Sequence, residues 1–314
     1  MKTVVEVQSL TKRFGDVVAL NAVSFDVREG EIFGLVGPDG GGKTTLFRIL
    51  ATLSLPDSGT ATVLGFDTAR DLWAIRSRVG YMPGGFSLYP DLSVAENLEF
   101  FAAVFGTTVE RGRELIAPIY KQLEPFRDRR ADALSGGMKQ KLALSCALVH
   151  RPGILFLDEP TTGVDAVSRR EFWDQLEALK ASGLPIVVAT PYMDEAMRCD
   201  RIALMNGGRI LQIDAPSAIG ARFTMPLIAV RGGDRYAVLQ ALRDYPQMRS
   251  VYLFGESLHY ADRRPDIPPQ KIADEVREYL AQHGQRGISA QPITPGIEDS
   301  FMALMGAAPE AAAA

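Results

Sequence analysis

The run Gly37-Pro38-Asp39-Gly40-Gly41-Gly42-Lys43-Thr44 fits G-x-x-x-x-G-K-[ST], and it constrains the chain on both of its sides. Successive backbone N–H groups can point inward at an anion where glycines remove side-chain clashes. Such a loop needs a strand to deliver it and a helix whose positive N-terminal end faces the same anion. The sequence supplies both. Ile32-Phe33-Gly34-Leu35-Val36 is a short apolar run, and residues 44–52 read as a helix. Lys43 can then reach the β- and γ-phosphates of a nucleotide, and Thr44 can offer a hydroxyl to Mg²⁺. Asp39 puts an acid near bound phosphates; it reads as solvent-facing and not disabling.

Two later segments add chemistry. Ile154-Leu155-Phe156-Leu157 is a fully apolar strand that ends in Asp158-Glu159. Strands often end in acids, so this pair gains meaning only beside a phosphate loop: Asp158 for Mg²⁺ and Glu159 to polarise an attacking water. Between loop and pair lies Leu134-Ser135-Gly136-Gly137-Met138-Lys139-Gln140. At the start of a helix, Ser135 and Gly137 present a hydroxyl and a free N–H that suit a phosphate. The bland alternative is an ordinary N-capped helix, and the order of the three segments argues against it.

Residues 3–8 and 22–27 alternate like half-buried strands. The segment from about 87 to 150 reads as mostly helical, with Val94, Leu98, Phe101 and Phe105 forming a core-facing stripe. Ile186-Val187-Val188-Ala189 reads as another buried strand, and residues 201–213 as a hairpin turning at Asn206-Gly207-Gly208. Strands alternating with helices predict an α/β fold with a mostly parallel sheet. Near residue 222 the pattern becomes strand–helix–strand–strand–helix–strand, followed by a short helix at 297–305. That order predicts a small α+β domain of ferredoxin-like form. The expected divisions are 1–222, 223–306 and a disordered tail at 307–314.

The chain has 314 residues, 46% of them apolar, enough for a sizeable core. Its formal net charge is −4, from 34 basic and 38 acidic residues, which gives no basic footprint for nucleic acid. The two cysteines, Cys146 and Cys199, read as reduced core thiols of a cytosolic protein. No apolar run approaches the roughly 18–20 residues that span a bilayer. Glu6 interrupts the only apolar stretch at the N-terminus, which therefore reads as a strand and not a signal peptide.

With the phosphate loop, LSGGMKQ, Asp158-Glu159-Pro160 and Thr161-Thr162-Gly163-Val164-Asp165 in this order, the chain resembles the ATP-binding cassette of ABC transporters over about residues 3–220. The resemblance implies a P-loop NTPase fold with a RecA-like core, an antiparallel β subdomain and a helical subdomain. It implies ATP and Mg²⁺ bound by Gly37, Pro38, Asp39, Gly40, Gly41, Gly42, Lys43, Thr44 and Thr45, with Phe14 stacked on adenine. Thr44 and Asp158 would serve the metal, and Lys43 and Glu159 the chemistry. Ser135 and Gly137 would close over the ATP of a second cassette, as homodimer or heterodimer, with residues 161–165 as the D-loop along the seam. A core role for Phe14 competes with stacking. Membrane-spanning permease subunits would be the partners, with the cassette peripheral on the inner, cytoplasmic face of the cell membrane. Residues 224–306 resemble the accessory domain of some drug- and polymer-exporter cassettes, through Pro295-Gly296-Ile297-Glu298-Asp299-Ser300-Phe301.

Two positions depart from the family. After Gly80-Tyr81-Met82-Pro83 the family usually has Gln, and here stands Gly84. Before Tyr192-Met193-Asp194-Glu195-Ala196 it usually has a switch His, and here stands Pro191. Neither side chain can coordinate or donate. None of His150, His259 and His283 is placed as an obvious replacement. The expectation is an export ATPase subunit with a weakened half-site of its own, coupled to its permease near residues 86–91. The alternative is a non-hydrolysing regulatory cassette that supports a catalytic partner. A cassette acting on ribosomes or DNA lacks the expected basic extensions.

Overall fold

The computed structural model describes residues 2–307 except Phe86. The chain divides into two compact units, Met1–Ala215 and Pro216–Ala314. In the first unit the elements run β1 (Thr3–Phe14), β2 (Val17–Arg28), β3 (Ile32–Val36), α1 (Lys43–Leu50), β4 (Ser58–Val63), β5 (Phe66–Asp67), α2 (Leu72–Arg76) and β6 (Val79–Met82). They continue with α3 (Val94–Val104), α4 (Val109–Tyr120), α5 (Gly136–Leu148), β7 (Ile154–Asp158), α6 (Ala166–Ala181), β8 (Ile186–Thr190), α7 (Met193–Ala196), β9 (Arg201–Asn206) and β10 (Arg209–Asp214).

Two sheets organise this unit. One is antiparallel, in the order β2-β1-β4-β5. The other runs β10-β9-β3-β8-β7-β6, parallel except for the edge strand β10. Every residue of β3, β7 and β8 is buried, as expected of parallel strands covered on both faces. Each buried Val, Leu or Ile there contributes about 1.5–3 kcal/mol. Register decides what these strands deliver. Val36 pairs with Thr190, Asp158 with Ala189 and Met82 with Leu157. The C-terminal ends of β3, β8, β7 and β6 are therefore level, and Gly37, Pro191, Glu159 and the segment carrying Gly84 leave the sheet at one edge. Ligands of open parallel sheets bind outside the strands' carboxyl ends.

Helices α3, α4 and α5 form the predicted helical segment. Ser93 and Glu96 close a capping box at the start of α3. The predicted stripe on α3 holds only in part: Val94 and Leu98 are buried, whereas Phe101 and Phe105 are half-buried. Those two rings, with Val104, line an open groove of about 560 Å³ that also takes in Trp73, Leu88 and His150. The helix thus turns its C-terminal half toward a surface cleft and away from the core.

The second unit holds α8 (Pro216–Ala221), β11 (Leu227–Arg231), α9 (Arg235–Arg243), β12 (Met248–Phe254), β13 (Ser257–Asp262), α10 (Pro269–Gln282), β14 (Ser289–Pro292) and α11 (Ile297–Ala307). Its sheet is antiparallel in the order β12-β13-β11-β14. Numbered along this unit the order is 2-3-1-4, the ferredoxin-like arrangement. The units divide at Ala215/Pro216, whereas the sequence pattern put the change near 222. The physical reason is α8, which joins α11: the Ser300 hydroxyl donates to Ile219 O at 3.1 Å. Ala307 closes α11; the rest of the predicted tail lies outside the described residues. Among the described residues, no helix is long and apolar enough to cross a membrane.

Candidate nucleotide site

The loop after β3 is seated on backbone. A Cβ on Gly37 would lie 2.1 Å from the carbonyl oxygen of Met205 on β9, so no side chain fits there. Gly42 has φ +100° and would place a Cβ 2.5 Å from Ala19 O, which excludes other residues on both counts. The turn between β9 and β10 supports the loop, because the Gly208 N–H donates to Gly41 O at 3.2 Å. The first helical bond of α1 is Leu46 N–H to Gly42 O, at 3.0 Å. The N–H groups of Lys43, Thr44 and Thr45 precede it and are the donors a helix start offers to an anion. Lys43 is only 3% exposed. Its ammonium donates to Gly37 O at 2.8 Å and Pro38 O at 3.0 Å, and lies 3.7 Å from Glu159 Oε1.

Strand β7 brings the acids to the same place. The Thr44 hydroxyl donates to Asp158 Oδ1 at 3.2 Å, so an alcohol and a carboxylate oxygen stand together. Oxygen donors of this kind suit a hard divalent cation such as Mg²⁺. Burial raises the Asp158 carboxyl above the ordinary carboxylate range, and the neighbouring Glu159 charge adds to it; Thr44, Lys43 and Arg48 pull the other way. Glu159 takes φ +50°, a conformation uncommon for a non-glycine residue. It is held by its own N–H, which donates to Ala189 O at 2.9 Å, and by the Thr162 hydroxyl, which donates to Glu159 Oε2 at 3.4 Å. A chamber of about 230 Å³ opens beside it, bordered by Gly84, Gly85, Gly136, Gln140 and Thr162.

Ser135 caps α5, its hydroxyl accepting from Met138 N–H at 3.4 Å. Both the capped-helix and the phosphate-contact readings therefore start from one geometry. Ser135 and Gly136 are exposed, while Gly137 is buried against α6, where a Cβ would come 2.6 Å from Ser168 Oγ. Asp165 caps α6 by accepting from Val167 and Ser168 N–H, each at 3.0 Å. These bonds hold its carboxyl below the ordinary range. Phe14, at the end of β1, is 53% exposed. It is no core residue; Lys12 Nζ lies over one face, 5.5 Å from the ring centre, and the exposed ring can still stack. Asp39 is exposed, as read from the sequence.

The two departures sit on the same edge. Gly84 is exposed, and a Cβ there would lie 3.2 Å from Asp158 O. Pro191 follows Thr190, the last residue of β8. One group at this edge was not anticipated. Glu195 is buried and accepts from the hydroxyls of Thr161, in the loop after β7, and of Thr190, at 2.6 Å for the latter. No periodicity marks such a pairing, because its members are distant in sequence. An acid followed by Ala in a short helix was the only visible sign.

Comparison with known proteins agrees with this geometry. Residues 20–162 match the family described as "ABC transporter". The chain is 40% identical over 314 residues to a probable multidrug ABC transporter ATP-binding protein, YbhF, of Escherichia coli (strain K12), covering 97% of this chain. It spans 52% of that relative, about half its length. It is 35% identical over 311 residues to the Nod factor export ATP-binding protein I of Rhizobium sp. (strain N33), covering 97% of this chain and 98% of the relative. Among solved structures, an ATP-binding subunit of an ABC transporter aligns with TM-score 0.64 and 27% identity, over 70% of this chain and 93% of that one. A dimeric cassette in a post-hydrolysis state, bound to ADP and Pi, aligns with TM-score 0.61 and 27% identity, over 67% of this chain and 98% of that one.

Proposed function

The chain belongs to the ABC transporter family as one of its ATP-binding cassettes, and from that premise we propose that it is the ATP-binding subunit of an exporter whose own half-site is slow. The observation that carries this reading is the convergence of Lys43, Thr44, Asp158 and Glu159 at one sheet edge, around a backbone seat that only glycine fits. ATP is the substrate. Lys43 and the N–H groups of residues 43–45 bind and orient its phosphates, and Phe14 stacks on the base. Thr44 and Asp158 would hold Mg²⁺, which would supply charge neutralisation at the phosphates. Glu159 takes the position of the group that polarises water.

The exposed Ser135 and Gly136 at the start of α5 support a second half-site, in which the Ser135 hydroxyl and the N–H of the buried Gly137 face the nucleotide of another cassette, identical or not. Membrane-spanning permease subunits are the proposed partners, with the cassette on the inner face of the membrane. Ser87 and Leu88 line the apolar groove of α3, which supports coupling at residues 86–91; Phe86 itself lies outside the described residues. Domain limits of 1–215 for the cassette and 216 onward for the ferredoxin-like unit follow the compact units.

Gly84 and Pro191 support the slow half-site, because neither offers a polar side chain where the family has one. They equally favour a regulatory cassette that binds nucleotide without turning it over. Steady-state Mg–ATP hydrolysis beside the Glu159→Gln variant separates the two. The exporter reading expects turnover that falls by roughly 10²–10³ in the variant. Equal background rates in both, with ATP still bound, would replace it with the regulatory one.

A further inference from the structure

The Pro191 turn is tied to the D-loop by a buried carboxylate. Glu195 is 2% exposed, and Thr161 and Thr190 are at most 1% exposed. The Thr161 hydroxyl donates to one oxygen of Glu195 and the Thr190 hydroxyl to the other. The Thr190 oxygen in turn accepts from the Tyr192 N–H at 3.1 Å. That bond spans Pro191, which has no N–H of its own. The remaining contacts close the group from the outside. Arg169 of α6 lies 3.6 Å from Glu195 and 3.5 Å from Asp194, with its guanidinium 4.6 Å from the centre of the Tyr192 ring.

A buried carboxylate is tolerated only when its oxygens are satisfied. Removing either hydroxyl therefore disturbs both loops and not just its own. Thr161 lies two residues after Glu159, whose N–H is bonded to Ala189, the residue before Thr190. The two loops that flank the hydrolytic carboxylate thus share one anchor. We infer that Glu195 is a positioning residue that makes the D-loop and the Pro191 turn move as one body and so holds Glu159 in its working orientation. This inference rests on the hydrolytic reading above for its effect on turnover, and on geometry alone for the coupling.

The test uses the full chain with Thr161→Val and Thr190→Val, each removing one hydroxyl at nearly constant shape, and Thr161→Ser, which keeps it. Amide hydrogen exchange is followed in peptides covering 159–168 and 186–197. Each valine variant is expected to speed exchange in both segments, and Thr161→Ser to restore wild-type exchange. Turnover in the valine variants is expected to fall about tenfold to a hundredfold, with KM for Mg–ATP within about a factor of two, since misplacement of catalytic geometry acts on the chemical step. Faster exchange confined to the segment carrying the substitution overturns the coupling, whatever turnover does. A change in KM at constant kcat overturns the positioning role. Equal turnover of wild type and Glu159→Gln sinks the hydrolytic reading, and the exchange data still decide whether the two loops are coupled.

Discussion

The strands β3 and β7 and the strands β8 and β6 end at one edge of one sheet, yet they bring different chemistry to it. From β3 and β7 come Thr44 and Asp158, bonded at 3.2 Å, and Lys43 and Glu159, 3.7 Å apart. From β6 and β8 come Gly84 and Pro191, which contribute only backbone and bulk. The register of the sheet is continuous across all four. A fold can therefore keep the position of a functional group while losing the group, because strand pairing is written in the backbone and burial, not in the residue after the strand. The proposed binding chemistry lies on one pair of strands, and the two altered positions lie on the other.

Glycine replacements give the sharpest contrast. Gly37→Ala should be the most damaging change, since its Cβ would meet the Met205 carbonyl at 2.1 Å and that carbonyl belongs to a paired strand. Overpacking of this kind costs about 1–3 kcal/mol or more, so the melting temperature should drop by several degrees and nucleotide binding should be lost. Gly84→Ala meets its nearest atom at 3.2 Å on an exposed segment and should stay within about 0.5 kcal/mol of wild type. Equal melting temperatures for the two would erase the distinction between a seated and an altered wall.

Pro191→His supplies a group able to meet a γ-phosphate and should raise turnover by up to roughly 10²–10³, the scale of one polar catalytic contact. An unchanged rate would remove Pro191 from the account of slow hydrolysis. Phe14→Ala should weaken ATP binding by about 0.5–1.5 kcal/mol, the range of a ring–ring contact, or roughly twofold to thirteenfold in Kd by titration. Because Phe14 is exposed, stability should not change; a fall in melting temperature would return it to a structural role.

The smallest effect concerns His150, which stacks on Phe105 with ring centres 3.7 Å apart and lies 3.2 Å from Val79 O through Nε2. Burial lowers its pKa from 6.5, against the Val79 contact, which raises it. The unfolded chain then takes up a proton that the folded chain refuses. Stability from this group is full above about pH 6.5 and declines as pH falls through the window below that value. Melting curves between about pH 7.5 and 5.5 should show this decline in the wild type and lose it in His150→Gln.

Much of this was legible along the chain. Loop, signature and acidic pair each carry residue types that a local backbone demands, and the secondary elements of the second unit follow apolar periodicity closely. Phe101 and Phe105 were misread because helical spacing reports a shared face, not what covers it. The limit of the first unit escaped because α8 is too short to have a face and is claimed by α11 from far down the chain. The bond from Thr161 to Glu195 escaped for the same reason: polar pairs across long separations leave no period. Chemistry imposed by neighbours in sequence can be read, and chemistry imposed by neighbours in space cannot.

The seating of the phosphate loop has a consequence in time. The strand that delivers it, β3, pairs only with β8 and β9, and Gly37 and Gly41 rest on Met205 and Gly208. All of these partners come late in the chain, and such long-range pairings form slowly. A growing chain displays its glycine-rich loop early, before the β9–β10 hairpin that supports it has emerged. Nucleotide binding then becomes a certificate of completion: a cassette cut short before residue 208 should bind nucleotide more weakly, because the Gly208–Gly41 bond is gone.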